Sequence, residues 1–184
     1  MDYAVSMVTT WLDDEQLNVW VRLKAVMELL PGALDSQLRR EAGLTYFEYY
    51  VLAMLSEADG RMLRMNALAA RTNATLPRLS HVARKLDERG LVRRSPDPDD
   101  GRATRVTLTD QGYDVLAGAA PAHVEAVRRY VFDLLDDDQV RQLGTIADAM
   151  LDVLDPEDVL THEYRRRGSA RPEGPQPPPA ARRA

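Results

Sequence analysis

Apolar residues recur at helical spacing through most of the chain. Asp13 followed by Gln16 has the pattern of a helix start, and the segment after it is apolar around much of its circumference. A helix buried on more than one side suits a dimer interface. Pro31 is expected to break or kink this helix, which then resumes as a shorter one from Ala33 to Arg40.

Shorter elements follow in the middle of the chain. Thr45 and Glu48 form the T-x-x-E pattern of a capping box, which predicts a helix as far as Ser56. Leu63 is expected to lie in a single short strand. A small helix from Ala67 to Arg71 comes next.

The stretch LPRLSHVARKLDERGLVRRSPDPDDGRATRVTLT begins at Leu76 and ends at Thr109. It opens with an amphipathic helix and continues into two strand patterns, Leu91 to Ser95 and Arg102 to Leu108, joined by a Pro/Asp/Gly turn. The apolar face of the helix holds Leu76, Leu79, Val82, Ala83 and Leu86. A short helix, a second amphipathic helix and a hairpin, in this order, are typical of a winged helix-turn-helix, whose partner is double-stranded DNA.

Two long helices are predicted after the hairpin. One runs from Asp110 to about Leu135 with a bend expected near Pro121, and Asp136 begins the other. Apolar residues of the second helix at a spacing of three or four are Val140, Leu143, Ala147, Met150 and Leu154. The predicted fold class is therefore mostly α with a small β-hairpin wing (α+β), a winged helix-turn-helix with long N- and C-terminal dimerisation helices.

Charge divides the chain into unlike parts. The formal net charge is −5, yet the segment from Arg61 to Val106 holds eleven Lys and Arg against five Asp and Glu. A basic segment on an acidic body fits a local DNA-binding face, and a solvated basic surface is the alternative. The expected organisation is an N-terminal arm (1–12), one domain (13–154) and a disordered basic Pro/Arg-rich tail (162–184) that adds phosphate affinity or solubility. Within the domain, the DNA-binding lobe is expected at about 45–109 and the dimerisation helices at about 13–43 and 110–154.

The polar face of the amphipathic helix that begins at Leu76 is expected to enter a major groove. The arginines of the wing are expected to enter a minor groove. The side chains expected to contact DNA are Pro77, Arg78, Ser80, His81, Arg84, Lys85, Arg94, Asp100 and Arg102. Asp100 is expected to hold the Arg102 guanidinium in an extended pose through a bidentate pair. An ordinary surface helix and a solvent-exposed turn are the alternatives.

Several classes of protein and site are excluded by what the sequence lacks. The chain has no cysteine, so it has no disulfide, thiol sensor or zinc-thiolate site. With no apolar run of roughly 18 residues and no signal-peptide pattern, a cytoplasmic protein without a membrane partner is expected. Ser80 and His81 diverge on a helix and cannot pair as nucleophile and base, and no Gly-rich phosphate loop is present. No enzyme activity, metal or cofactor is expected.

The run KLDERGLVRRSPDPDDGRATRVTLTDQG, from Lys85 to Gly112, resembles the MarR family of winged helix-turn-helix transcriptional regulators. The resemblance extends over about Asp13 to Leu154. It implies a homodimer on a pseudo-palindromic operator, with recognition helices in successive major grooves and half-sites roughly 10 bp apart. It further implies repression that a small, often aromatic or phenolic, ligand relieves. On this resemblance Ser80 and His81 are DNA-facing, and Asp100 with Arg102 is the wing pair.

The resemblance also implies a ligand site where the long helices meet the DNA-binding lobe. Candidate residues are Trp20, Arg22, Lys24, Met27, Tyr46, Tyr49, Tyr50 and His123. Ordinary packing in the core or interface is the alternative for most of them. A ligand-independent architectural DNA-binding protein is the alternative for the function.

Overall fold

The computed structural model describes residues 10–161. Most of the predicted N-terminal arm and all of the predicted basic tail lie outside the described residues. Within them the chain forms six α-helices and a three-stranded antiparallel sheet, so the predicted fold class is confirmed. In chain order the elements are α1 (Asp14–Ala42), α2 (Tyr46–Glu57), β1 (Met62–Arg64), α3 (Met65–Arg71), α4 (Leu76–Glu88), β2 (Val92–Pro96), β3 (Thr104–Leu108), α5 (Asp110–Tyr130) and α6 (Asp137–Leu154).

The first helix is continuous through Pro31, so a break there, with a shorter helix resuming at Ala33, is wrong. Asp13 and Gln16 form the expected capping box at its start, and Gly43 ends it in the left-handed conformation with φ of 61°. Pro31 removes only one backbone donor from the helix. After it, Leu34 and Leu38 are buried, so packing against the core offsets that loss and the helix continues.

The central lobe has its own apolar core beneath α4. Leu79 and Leu86 of α4 are buried together with Leu55 of α2, Leu68 of α3 and Val106 of β3. Leu76, predicted on the same apolar face, is instead 47% exposed. It lies in the first turn of α4, beyond the end of this core, and faces the wing.

The sheet has the strand order β1-β3-β2, with Leu63 and Arg94 opposite Val106 from either side. The short strand predicted at Leu63 is therefore confirmed. The second hairpin strand begins at Thr104, two residues later than predicted. Residues 97–103 form the tip of the wing instead of extending the ladder.

One glycine fixes the junction between the wing and α5. Thr109 caps α5 by accepting a hydrogen bond from the backbone N–H of Gly112. A Cβ at Gly112 would lie 1.9 Å from the carbonyl oxygen of Leu91, so no side chain fits there. This close approach explains the glycine of the Leu-Thr-x-x-Gly run and sets the direction in which α5 leaves the sheet.

The long helices leave much apolar surface exposed in one chain. Helix α5 passes through Pro121 and ends at Tyr130, earlier than predicted, and α6 begins after its N-cap Asp136 as predicted. No residue of α6 is buried, and its Ile146, Met150 and Val153 are exposed. Among the described residues, no helix is both long and apolar enough to cross a membrane.

Candidate nucleic-acid interface

Helix α4 packs on one side and is polar on the other. Leu79, Ala83 and Leu86 anchor it to the core, while Pro77, His81 and Arg84 are exposed on the opposite side. Its first turn contains Pro77. Proline fits there because a backbone N–H in the first turn of a helix has no partner within the helix, so none is lost. The exposed polar face is therefore held rigidly from behind.

A cleft of about 470 Å³ lies between α4 and the wing. It brings together Ser80, Arg94, Asp100 and Arg102, four of the side chains predicted to contact DNA. Arg94 has a buried Nε atom that has no hydrogen-bond partner within residues 10–161. Two guanidinium groups at one cleft, those of Arg94 and Arg102, make it a favourable place for an anionic oxygen. The remaining lining residues are Arg64, Met65, Asn66, Leu76, Ala103 and Thr104.

The tip of the wing is organised by Asp97, which the sequence analysis did not single out. Its side chain is fully buried, and Oδ2 lies 2.6 Å from Nε of Arg64 and 3.0 Å from Nε of Arg105. Its Oδ1 accepts hydrogen bonds from Nη2 of Arg105 at 3.0 Å and from the backbone N–H of Asp99 at 2.9 Å. One carboxylate thus ties β1 and β3 to the turn between β2 and β3.

The predicted bidentate pair between Asp100 and Arg102 is wrong. In the part of the chain that the structure describes, Oδ1 of Asp100 accepts a hydrogen bond from the backbone N–H of Arg102 at 3.0 Å, a turn contact that leaves the guanidinium unengaged by this carboxylate. The buried ion pairs of the wing form instead around Asp97, and Asp99 adds an exposed pair with Arg105. The segment SPDPDD holds three acids close together, and sequence alone does not tell which one turns inward.

The ion pairs of the wing also set the charge state of Asp97. The hydrogen bond from Arg105 is the largest influence, outweighing burial, and with the Asp99 and Arg64 contacts it holds the pKa of the Asp97 carboxyl well below its usual range. Asp97 therefore stays ionised throughout the neutral and mildly acidic range. In turn, the same hydrogen bond raises the pKa of Arg105.

Three other predicted contact residues make contacts within the protein. Nη1 of Arg84 lies 2.6 Å from Oε1 of Glu88 one turn away, an exposed pair of the kind that water and salt weaken. The guanidinium of Arg78 lies 4.1 Å from the ring centroid of Phe47. Nζ of Lys85 lies 3.5 Å from Oε1 of Glu48. The structure thus separates the predicted set into side chains at the cleft, side chains on the exposed face of α4, and side chains held by α2.

The candidate ligand residues divide between two places. The ring of His123 on α5 lies 4.4 Å from that of Tyr49 and 6.1 Å from that of Tyr46, measured between centroids. Burial lowers the pKa of His123, and its Nδ1 is buried with no partner among the described residues. Tyr50 donates its hydroxyl to the carbonyl of Arg71. The other candidates, Trp20, Arg22, Lys24 and Met27, lie on the exposed half of α1 and are not part of this cluster.

No arrangement for metal binding is found in residues 10–161, where no three of the His, Asp and Glu side chains are grouped so that they could hold an ion. His81 and His123 lie on different elements, α4 and α5. The chemistry that the arrangement supports is anion binding at the wing and aromatic packing at His123.

Sequence comparison relates the chain to known DNA-binding regulators. A sequence profile described as the MarR family matches residues 42–103. The transcriptional regulator HosA of Escherichia coli O111:H- is 35% identical over 78 residues, which are 42% of this chain and 56% of that protein. The HTH-type transcriptional repressor Rv2887 of Mycobacterium tuberculosis is 36% identical over 100 residues, which are 54% of this chain and 70% of that protein. The chain thus aligns with just over half of the first protein and about two thirds of the second.

Solved structures extend the similarity to the long helices. Sco3205, a MarR family transcriptional regulator of Streptomyces coelicolor solved in complex with DNA, is 41% identical with a TM-score of 0.78 over 82% of this chain and 94% of its own. AbsC, a MarR family transcriptional regulator of the same organism, is 33% identical with a TM-score of 0.75, over 80% of this chain and 99% of its own. CouR of Rhodococcus jostii RHA1, solved bound to p-coumaroyl-CoA, is 26% identical with a TM-score of 0.62, over 74% of this chain and 91% of its own.

Proposed function

Because this chain belongs to the MarR family of DNA-binding transcriptional regulators, we propose that it acts as a homodimeric repressor on a pseudo-palindromic operator and is released by a small ligand. Each half of the dimer would place α4 in a major groove and its wing in the flanking minor groove. An enzymatic role finds no support, since MarR family proteins are regulators of transcription.

The cleft between α4 and the wing is the observation that carries the DNA-binding proposal. Ser80 from the helix and Arg94 and Arg102 from the hairpin converge there. Two guanidinium groups and a hydroxyl at one cleft offer donors to a phosphodiester oxygen. A phosphate bound in the cleft would set the register of α4, whose exposed Pro77, His81 and Arg84 would then face the base edges.

Exposed apolar surface on the long helices supports the homodimer. A groove of about 520 Å³ runs between α1 and the end of α5, lined by Val26, Leu29, Tyr130 and Leu134 among others. Helix α6 exposes Ile146, Met150 and other apolar side chains on a helix with no buried residue. Surface of this size and apolarity is characteristic of an interface, and a second copy of the chain supplies matching surface on both elements.

The cluster around His123 supports a ligand with an aromatic ring. Tyr46, Tyr49 and His123 form an aromatic cluster against which the ring of such a ligand would pack. CouR, which shares the fold, was solved with an aromatic acyl-CoA bound. A ligand that weakens operator binding 100-fold needs a coupling free energy of about 2.7 kcal/mol between the two sites.

Selection of binding sites from a random duplex pool tests the proposed function. The winning sequence and a scrambled control are then titrated with the protein across a salt series. We expect a pseudo-palindrome bound at least roughly 10³-fold more tightly than the scrambled duplex. Binding without a preferred sequence would instead indicate a ligand-independent architectural protein. A panel of aromatic acids and their thioesters, added to the bound complex, tests the release of the operator.

A further inference from the structure

The first turn of α2 contacts α4 at two separate points. Phe47 lies under the guanidinium of Arg78 in the first turn of α4, at 4.1 Å from the ring centroid. The next residue, Glu48, approaches two cations at the other end of the helix, Nζ of Lys85 at 3.5 Å and Nη1 of Arg89 at 3.6 Å. Two adjacent side chains of α2 therefore reach α4 near its beginning and near its end.

Glu48 is placed to hold this arrangement rigidly. Its side chain is only 5% exposed, and Oε2 accepts the backbone N–H of Thr45 at 2.8 Å, so the same carboxylate starts α2 and receives the cations of α4. Two buried oxygens that serve a helix cap and two charges leave the side chain little freedom. The contacts of Glu48 therefore link the start of α2 to the end of α4.

The same turn is tied to the long helices. Oδ1 of Asp35 on α1 accepts the backbone N–H of Tyr46 at 2.8 Å, and the ring of Tyr46 lies near that of His123 on α5. Nη2 of Arg89 at the end of α4 also donates to the carbonyl of Gly43 at the end of α1, at 3.2 Å. The connections thus run from α1 and α5 through one turn of α2 to both ends of α4, and Arg89 adds one direct contact between α4 and the end of α1.

We propose that the first turn of α2 sets the orientation of the recognition helix relative to the long helices, with Phe47 and Glu48 as positioning residues. In a homodimer this turn fixes the separation of the two recognition helices and hence the half-site spacing that the protein accepts. The inference rests on the proposed function, because a spacing exists only where two copies bind one operator.

The test measures affinity for the selected operator and for versions with one or two base pairs added or removed between the half-sites. Glu48→Gln keeps an acceptor for the N–H of Thr45 but removes the charge that holds Lys85 and Arg89. We expect the advantage of the best spacing over its one-base-pair neighbours to fall about tenfold. Affinity for a random duplex should not fall, since the change releases a cation. If Glu48→Gln fails to fold, Arg89→Gln should also flatten the spacing profile, because it removes both the cation opposite Glu48 and the hydrogen bond to Gly43 of α1.

The matched control is Glu157→Gln, which removes an exposed carboxylate beyond α6 and should leave the spacing profile unchanged. Phe47→Leu, which keeps an apolar side chain without the ring beneath Arg78, should flatten the profile as well. A uniform loss of affinity at every spacing, or no loss at any, would overturn the positioning role. If the unaltered protein shows no spacing preference, the proposed homodimer on a palindrome fails, and this inference fails with it.

Discussion

The carboxylate of Asp97 and the guanidinium of Arg105 form a bidentate pair inside the wing, with both nitrogen–oxygen distances at 3.0 Å. Arg64 donates to the same carboxylate from the neighbouring strand. Asp97 alone therefore engages two arginines of the basic segment, Arg64 and Arg105. The positive charge available to DNA is smaller than the sequence indicates, and Arg94 and Arg102 at the cleft are part of what remains.

Asp97→Asn should destabilise the wing. Asparagine keeps the size of the side chain but leaves two guanidiniums without their buried anion, which is the costly way to break such a network. We expect Tm to fall by roughly 5 to 10 °C. The loss of operator affinity should come mainly from contacts with A·T-rich flanks, and less from contacts with the centres of the half-sites. Asp99→Asn is the control, because the Asp99 side chain is 77% exposed and its carboxylate pairs with Arg105 at the surface, so Tm should change by no more than about 1 °C.

Acid should weaken the fold through the same residue. The pKa of Asp97 is held below its usual range mainly by the hydrogen bond from Arg105, so in the unfolded chain this carboxyl takes up a proton at higher pH than in the folded protein. Its stabilisation is therefore present above about pH 4 and lost as the pH falls further. The free energy of unfolding, measured with denaturant between pH 6 and pH 3, should fall less steeply with decreasing pH in Asp97→Asn than in the unaltered protein. The difference in slope should correspond to at most one proton. Equal slopes for both proteins would contradict this account.

Local signals in the sequence predicted the starts of α1, α2 and α6, whereas α3 begins at Met65, two residues before its predicted start. Other errors of the prediction depend on tertiary contacts. Asp13, Thr45 and Asp136 each cap a helix as expected, because a cap needs only residues within one turn. Periodicity of the apolar residues also predicted the order of the short helix α3, the amphipathic helix α4 and the hairpin of β2 and β3. Pro31 was misjudged because the burial of Leu34 and Leu38, which keeps α1 continuous, depends on elements distant in sequence.

The candidate site was predictable in outline but not in its internal pairing. Ser80, Arg94 and Arg102 do meet in one cleft. Asp97 and Asp100 have the same chemistry and near-identical surroundings in sequence, so only the folded wing reveals which is buried. The contact of Lys85 with Glu48 likewise joins residues far apart in the chain. Helical periodicity predicted that Lys85 lies on the exposed face of α4, but it did not predict the contact with Glu48.

Gly112→Ala should be strongly destabilising, since its Cβ would lie 1.9 Å from the carbonyl oxygen of Leu91. Backbone must shift to relieve that overlap, at a cost of about 2 kcal/mol or more in the free energy of unfolding. Gly118→Ala is the matched control on the same helix, because a Cβ there meets nothing within 4 Å. It should stabilise the protein by about 0.5–1 kcal/mol through helix propensity. Urea titrations of the two variants decide between these outcomes.

Arg94→Gln should reduce the salt dependence of DNA binding. Loss of one phosphate contact lowers the slope of log K against log salt concentration by about 1, whatever the DNA sequence. Arg93→Gln is the control, because successive residues of a strand point to opposite faces and Arg93 does not line the cleft. Filter binding on a random duplex from low to moderate salt measures both slopes. An equal reduction for the two variants would mean that net charge, and not the cleft, is responsible.

Helix α6 should be needed for dimer formation. Met150 is 43% exposed in one chain and lies on the apolar side of a helix with no buried residue. A carboxylate at that position would be desolvated in the interface, so Met150→Asp should weaken the dimer by about tenfold or more. Thr145→Asp introduces the same charge on the polar side of α6, where the Thr145 hydroxyl donates to the carbonyl of Arg141, and should leave association unchanged. Sedimentation velocity over a concentration series gives the dissociation constants, and a Met150→Asp protein that remains fully dimeric at nanomolar concentration would place the interface elsewhere.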